Sequence, residues 1–170
     1  MNGILVIDKP SNMTSRDVVN ILNKQFHIQK IGHTGTLDPL ATGVLVVAIG
    51  QATKIIELLT SVEKEYVATV QMGMETDTLD VTGNILKQDS SLSFSFEQIE
   101  EVLSRFKGTY EQEVPLYSAV HVNGKRLYQY AKEDKEVVLP KRKVTIHNIK
   151  LLQKSHDIFS FSCRVSKGTY

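Results

Sequence analysis

Segments in which apolar residues recur as in a strand, and segments in which they recur as in a helix, follow one another in no regular order along this chain. Gly3–Asp8 is a short run rich in β-branched residues. In the segments 144–152 and 158–165, apolar and polar residues alternate as they do in strands. Apolar residues at helical spacing occur after Thr14 and again over Phe96–Phe106. Because the two kinds of segment form no regular βαβ repeat, they predict an α+β fold around a mixed sheet.

The composition is that of an ordinary globular domain, with 41% hydrophobic and 23% charged residues among 170. These values exclude collagen-like, low-complexity and disordered chains. The single cysteine, Cys163, permits neither an internal disulfide nor a cysteine-based zinc site. The longest apolar run, Val44–Ile49, is far shorter than the roughly 20 residues that span a bilayer. The N-terminus lacks the features of a signal peptide. We therefore expect a single cytoplasmic domain that does not enter a membrane.

Positive charge is concentrated in one part of the chain, although the formal net charge is only +1. The segment His121–Lys154 contains nine lysines and arginines against three acidic residues, so it carries +6 and the remainder carries −5. A localised basic segment is typical of a contact with a polyanion such as nucleic acid. A solvated surface loop would show the same pattern, so charge alone leaves both interpretations open.

The segment Lys30–Gly43 predicts a long loop, because its fourteen residues include three glycines, three threonines and a proline. Neither the phosphate-binding nor the dinucleotide-binding glycine pattern is present. Asp38 precedes Pro39, which favours an extended backbone and a fixed direction for the carboxylate. This carboxylate is a candidate nucleophile, general base or metal ligand, and the alternative is a turn-forming aspartate. A metal site is disfavoured, because His33 has no second histidine or cysteine at ligand spacing.

The segment Gly32–Leu45 resembles the catalytic motif of the TruB-type tRNA pseudouridine synthases. Four further blocks resemble the family's other motifs in order and spacing, and these are Ile7–Pro10 with Thr14-Ser15, Lys64–Tyr66 with Thr76–Thr78, Pro115–Ala119 with Asn123–Tyr128, and Ser166–Tyr170. The sequence departs from the family at Asn12, where glycine is usual, and at His121, where lysine is usual. The resemblance extends over the whole chain.

The resemblance implies an α+β catalytic domain with a mixed, mostly antiparallel sheet flanked by helices. It also implies isomerisation of the uridine at position 55, in the T loop of tRNA, to pseudouridine, with no cofactor and no metal. Asp38 would be the catalytic residue. His33 would occupy the space left by the flipped base, and Tyr66 and Tyr170 would line the uracil pocket. The expected contacts to the RNA backbone are Lys9, Lys125, Arg126, Lys141 and Arg142.

In the family, residues 108–143 correspond to an insertion that closes over the T loop, and we expect 1–170 to be a partial catalytic domain. The family's last motif normally continues beyond Lys167–Tyr170 with an arginine that pairs with the aspartate, and a C-terminal PUA domain follows. We therefore expect this piece alone to be weakly active or inactive. The expected partner is the T-arm stem-loop of tRNA, with no protein partner and a monomeric state.

Two other functions remain as alternatives. A non-catalytic RNA-binding module or tRNA-folding chaperone on the same scaffold would not need Asp38. An unrelated sugar- or phosphate-handling hydrolase would need a second carboxylate at a set distance, and no paired-acid motif stands out.

Overall fold

The computed structural model describes all 170 residues, and the chain divides into two compact units, Met1–Val62 and Glu63–Tyr170. The first unit contains three strands, an α-helix of three turns, a 3-10 helix and a short final α-helix. In chain order these are β1 (Gly3–Lys9), α1 (Ser15–Phe26), β2 (Ile31–His33), β3 (Gly43–Ile49), the 3-10 helix Gly50–Ile55 and α2 (Ile56–Thr60).

The first unit is an antiparallel three-stranded sheet in the order β1-β3-β2 with α1 packed on it. Val18 of α1 lies in one apolar cluster with Leu45 and Val47 of β3. Helix α1 begins with a capping box, in which the Thr14 side chain accepts a hydrogen bond from the Asp17 backbone and the Asp17 side chain accepts one from the Thr14 backbone. The cap and the apolar face together fix where the helix starts and which side it buries.

The second unit has eight strands and two α-helices. In chain order these are β4 (Lys64–Gln71), β5 (Met74–Thr76), β6 (Ile85–Gln88), α3 (Phe96–Arg105), β7 (Gly108–Glu113), β8 (His121–Val122), β9 (Lys125–Arg126), α4 (Leu127–Lys132), β10 (Lys141–Ser155) and β11 (Ile158–Val165).

Four of these strands form an antiparallel sheet in the order β4-β11-β10-β7. Helix α3 covers it, and Ile99 and Leu103 pack with Leu151 of β10. The pairs β5-β6 and β8-β9 form two small separate hairpins. All strand pairs in both units are antiparallel.

The insertion that the sequence predicts over 108–143 leaves the large sheet through β7 and returns through β10. These two strands pair from Gly108↔Ile146 to Glu113↔Lys141, and the Val114 N–H donates to the Pro140 carbonyl at 2.9 Å. Beyond this base the chain forms the β8-β9 hairpin and α4, around the fully buried Leu127. The insertion therefore projects from two neighbouring strands that hold its ends together.

The α+β class is confirmed, and most predicted elements occur within a few residues of their expected bounds. The predicted fourteen-residue loop is shorter than expected, because Ile31–His33 forms β2 against β3. The sequence pattern also missed β5, β6 and β7. Polar residues predominate in β7 (Gly108–Glu113), which alternates between half-buried and exposed positions, so it lacks the apolar signal that marks the other strands. None of the helices is long and apolar enough to cross a membrane.

Candidate active site

Asp38 lies near the middle of the loop 34–42, which joins β2 to β3 in the first unit. Its backbone carbonyl accepts a hydrogen bond from the Ala41 N–H at 3.0 Å, which closes a four-residue turn with Pro39 in the second position. Proline favours that position because its φ is fixed near the value the turn needs. The Asp38 side chain is exposed. A turn-forming aspartate was the alternative interpretation of the sequence, and the structure has a backbone turn here, with the exposed Asp38 at its first position.

Lys9, at the end of β1, is buried beneath this loop and does not reach the surface. Its side chain is 0% exposed, and its Nζ donates to the carbonyls of Pro10 at 2.8 Å, Met13 at 2.7 Å and Pro39 at 3.3 Å. A lysine ammonium has three N–H donors, so the backbone uses all of them. The expectation that Lys9 contacts the RNA backbone is corrected: in this structure Lys9 fastens the loop that carries Asp38.

A second buried side chain holds the other flank of Asp38. Ser15, the first residue of α1, is 1% exposed, and its Oγ accepts a hydrogen bond from the Leu37 N–H at 2.9 Å. The same Oγ lies 3.3 Å from the Leu37 carbonyl, to which it donates. The sequence placed Ser15 in a family-like motif but did not indicate the pairing with Leu37, because that pairing joins residues far apart in the chain.

His33 is the last residue of β2, and it lies opposite Val47 of β3. Its Nδ1 is 2.6 Å from the Gly35 carbonyl. Because a carbonyl only accepts, Nδ1 carries the proton and Nε2 of the neutral ring is left as an acceptor. Partial burial lowers the pKa of His33, the bond to Gly35 opposes this, and the charge of Arg16 lowers the pKa further. The lowered pKa favours the neutral ring and the bond to Gly35 sets its tautomer, directly before the loop that carries Asp38.

The two aromatic residues expected in the uracil pocket belong to the second unit. Tyr66 lies in β4 opposite Cys163 of β11 and is 37% exposed. Two residues earlier, burial lowers the pKa of Lys64, and the nearby charge of Lys167 lowers it further. Tyr66 is thus partly exposed on the large sheet, two residues from Lys64.

Tyr170 follows β11 at the end of a short segment that crosses the N-terminal half of β10. The Ser166 N–H donates to the Thr145 carbonyl at 2.8 Å, and the Thr145 N–H donates to Ser166 Oγ at the same distance. At Tyr170 the backbone N–H donates to Gln112 Oε1 at 2.9 Å, and the Gln112 amide donates to the Tyr170 carbonyl. The aromatic side chain remains half exposed, so the segment fixes the backbone and leaves the ring accessible.

The remaining four basic residues expected to contact RNA are exposed in the insertion, and one of them, Lys125, is paired with an acidic residue. Lys125 Nζ lies 3.0 Å from a Glu133 oxygen, and Lys135 Nζ lies 2.7 Å from the same oxygen. The β8-β9 turn is formed by Asn123 and Gly124, both at positive φ, as an Asn-Gly pair predicts. The other three expected contacts, Arg126, Lys141 and Arg142, are exposed in β9 and β10.

Comparison with known proteins identifies the family. Residues 23–170 match the model of the TruB family pseudouridylate synthase (N terminal domain). The whole chain is 49% identical to a tRNA pseudouridine synthase B of Lactobacillus acidophilus, covering 60% of that protein, and 44% identical to one of Caldicellulosiruptor saccharolyticus, covering 58%. The chain thus spans about 60% of the length of the curated relatives it matches.

The fold matches solved structures as well. A chain in the crystal structure of a Cbf5-Nop10-Gar1 complex superposes with a TM-score of 0.71 at 30% identity, over 99% of this chain and 40% of that one. A chain in the structure of an H/ACA RNP bound to a substrate RNA containing 2′-deoxyuridine gives a TM-score of 0.68 at 26% identity. The family match and the agreement in fold together show that this chain belongs to the TruB family of pseudouridylate synthases.

Proposed function

We propose that the protein containing this chain isomerises the uridine at position 55, in the T loop of tRNA, to pseudouridine, with Asp38 as the catalytic residue. The observation that carries this proposal is the presentation of Asp38. Its side chain is exposed at a turn whose flanking residues, Leu37 and Pro39, are held by buried side chains. A turn whose two flanks are held by buried side chains suits catalysis better than a turn without such anchors would.

The isomerisation needs no group from outside the protein and the RNA. The bond between uracil N1 and the ribose C1′ breaks, the ring turns, and C5 bonds to C1′ while C5 loses a proton and N1 gains one. A single carboxylate can serve this reaction by attacking the sugar or the ring, or by accepting a proton. The uridine must first leave the base stack, which costs a few kcal/mol.

The other site residues fit roles in holding the flipped nucleotide. The neutral ring of His33 offers Nε2 as an acceptor, and its flat face suits the space that the base vacates. Tyr66 and Tyr170 have accessible rings on which a pyrimidine stacks. Lys125, Arg126, Lys141 and Arg142 are exposed cations on the insertion, where they can neutralise phosphates of the T arm.

The test is pseudouridine formation in a T-arm stem-loop RNA. It compares three proteins: this chain, the chain extended after residue 170 by the remaining length of a relative, and the extended form with Asp38→Ala. We expect product from the extended form, little or none from the chain alone, and none from Asp38→Ala despite RNA binding. RNA binding without product in all three would contradict the proposal and favour an RNA-binding or chaperone function.

A further inference from the structure

The hydroxyl of Ser15 is committed to the loop that carries Asp38. It bonds both polar groups of the Leu37 backbone, at 2.9 Å and 3.3 Å, and the side chain is 1% exposed. One side chain that satisfies the N–H and the C=O of one residue replaces the pairing that a neighbouring strand would give. In effect, Ser15 fixes the backbone of the residue that directly precedes the candidate catalytic aspartate.

Helix α1 does not need this hydroxyl for its own start. The capping bonds are made by Thr14, whose Oγ1 accepts from the Asp17 N–H at 3.1 Å, while the Asp17 carboxylate accepts from the Thr14 N–H at 2.9 Å. The helix is also anchored by the buried Val18 and Val19. A serine at the first helical position could bond to water without cost to the helix, so its burial against Leu37 serves the loop.

We propose that Ser15 is a positioning residue for Asp38, acting through the Leu37 backbone; this inference rests on the catalytic role proposed for Asp38. The Leu37 peptide sets the direction from which the Asp38 side chain leaves the loop. On the other flank, the bond from Lys9 to the Pro39 carbonyl fixes the turn. With both neighbours fixed, the carboxylate has little freedom beyond its own side-chain torsions, which is the pre-organisation that efficient catalysis requires.

Removal of the hydroxyl should loosen this geometry without unfolding the unit. In Ser15→Ala, the Leu37 N–H and C=O both lose their partner, while the capping box and the apolar anchors of α1 stay intact. A displacement of about 1 Å at a catalytic group costs on the order of a hundredfold in rate. We expect the chemical rate to fall by roughly ten- to a hundredfold, with little change in the affinity for RNA.

The experiment uses the extended form of the protein and a T-arm stem-loop RNA. It measures the single-turnover rate of pseudouridine formation, the Kd for the RNA and the Tm of each variant. The matched control is Ser160→Ala, because Ser160 is also buried, at 5% exposed, but lies in β11 of the second unit. Ser15→Ala should slow the single-turnover rate, whereas Ser160→Ala should keep the rate near that of the parent.

A second variant, Ser15→Thr, restores the hydroxyl and should recover part of the rate. An unchanged single-turnover rate in Ser15→Ala, in a protein as stable as the Ser160→Ala control, would overturn the inference. A loss that appears only as weaker RNA binding would overturn it as well, since a positioning residue acts on the chemical step. If the parent makes no pseudouridine, the proposed function itself has failed, so the two failures are distinguishable.

Discussion

At the scale of single residues, burial decides what a charged side chain can do. Lys9 and Arg142 carry the same formal charge, and the sequence predicts a phosphate contact for each of them. The structure places them in different environments, because Lys9 is enclosed by three carbonyls whereas Arg142 is exposed on β10. The sequence identifies Asp38 and His33 through one continuous motif. It cannot reveal the roles of Lys9 and Ser15, which depend on loop residues more than twenty positions away.

The corrected role of Lys9 predicts a loss of stability on its replacement. In Lys9→Met, the carbonyls of Pro10, Met13 and Pro39 lose a charged donor, and the free energy of unfolding should fall by roughly 2–4 kcal/mol. The control Lys141→Met, at an exposed position of β10, should change the free energy of unfolding by less than about 0.5 kcal/mol. Urea unfolding measures both values. Equal stability of the two variants would contradict the buried role of Lys9.

His33 should make stability depend on pH. Burial lowers its pKa below the ordinary 6.5, so the unfolded chain binds a proton more readily than the folded protein does. The stabilisation from neutral His33 is complete above the ordinary pKa and is lost as the pH falls through the lowered one. His33→Gln should therefore reduce the difference in unfolding free energy between about pH 7.5 and about pH 5. If the variant and the parent lose the same stability over this range, His33 is not the group that titrates.

At the scale of elements, the strands with an apolar alternation were predictable and the polar ones were not. The sequence indicated β1, β10 and β11 through β-branched or alternating apolar residues, and β3 contains the longest apolar run of the chain. It missed β7, which lies at the edge of its sheet and is held there by pairing with β10. A polar edge strand owes its place to a partner distant in sequence, so local pattern carries little signal for it.

The insertion contains an ion-pair cluster that should limit its affinity for RNA. Glu133 binds both Lys125 and Lys135, and these lysines hold the pKa of the Glu133 carboxyl below its usual range. Lys125, which is an expected RNA contact, must exchange this carboxylate for a phosphate when RNA binds. Glu133→Gln should therefore lower the Kd for a T-arm stem-loop by a few-fold at low salt. Glu136→Gln removes the same charge outside the cluster and is the matched control. Equal effects of the two variants would show that only net charge matters.

At the scale of the whole chain, the net charge is small, but the positive charge is concentrated in one segment. The segment His121–Lys154 carries +6 in a chain of net charge +1. In the structure this segment includes the hairpin, α4 and most of β10, and its basic side chains are predominantly exposed. A nearly neutral protein with one exposed basic segment binds a polyanion at that segment and repels it weakly elsewhere. We therefore expect the position of the charge, more than its total, to set how RNA is oriented on the protein.

The number of phosphate contacts can be read from the salt dependence of RNA binding. With Lys9 excluded, four expected contacts remain, and each should contribute roughly 0.7–0.9 to the slope of log K against log salt, which gives a total near −3. Fluorescence anisotropy of a labelled T-arm stem-loop across potassium chloride concentrations measures this slope. A variant in which glutamine replaces Lys125, Arg126, Lys141 and Arg142 should flatten it. The control loses the same charge at four exposed lysines outside the segment, Lys24, Lys54, Lys87 and Lys107. This control should retain the slope. An equal loss of slope in both would show that RNA responds to the overall charge and would contradict a localised contact.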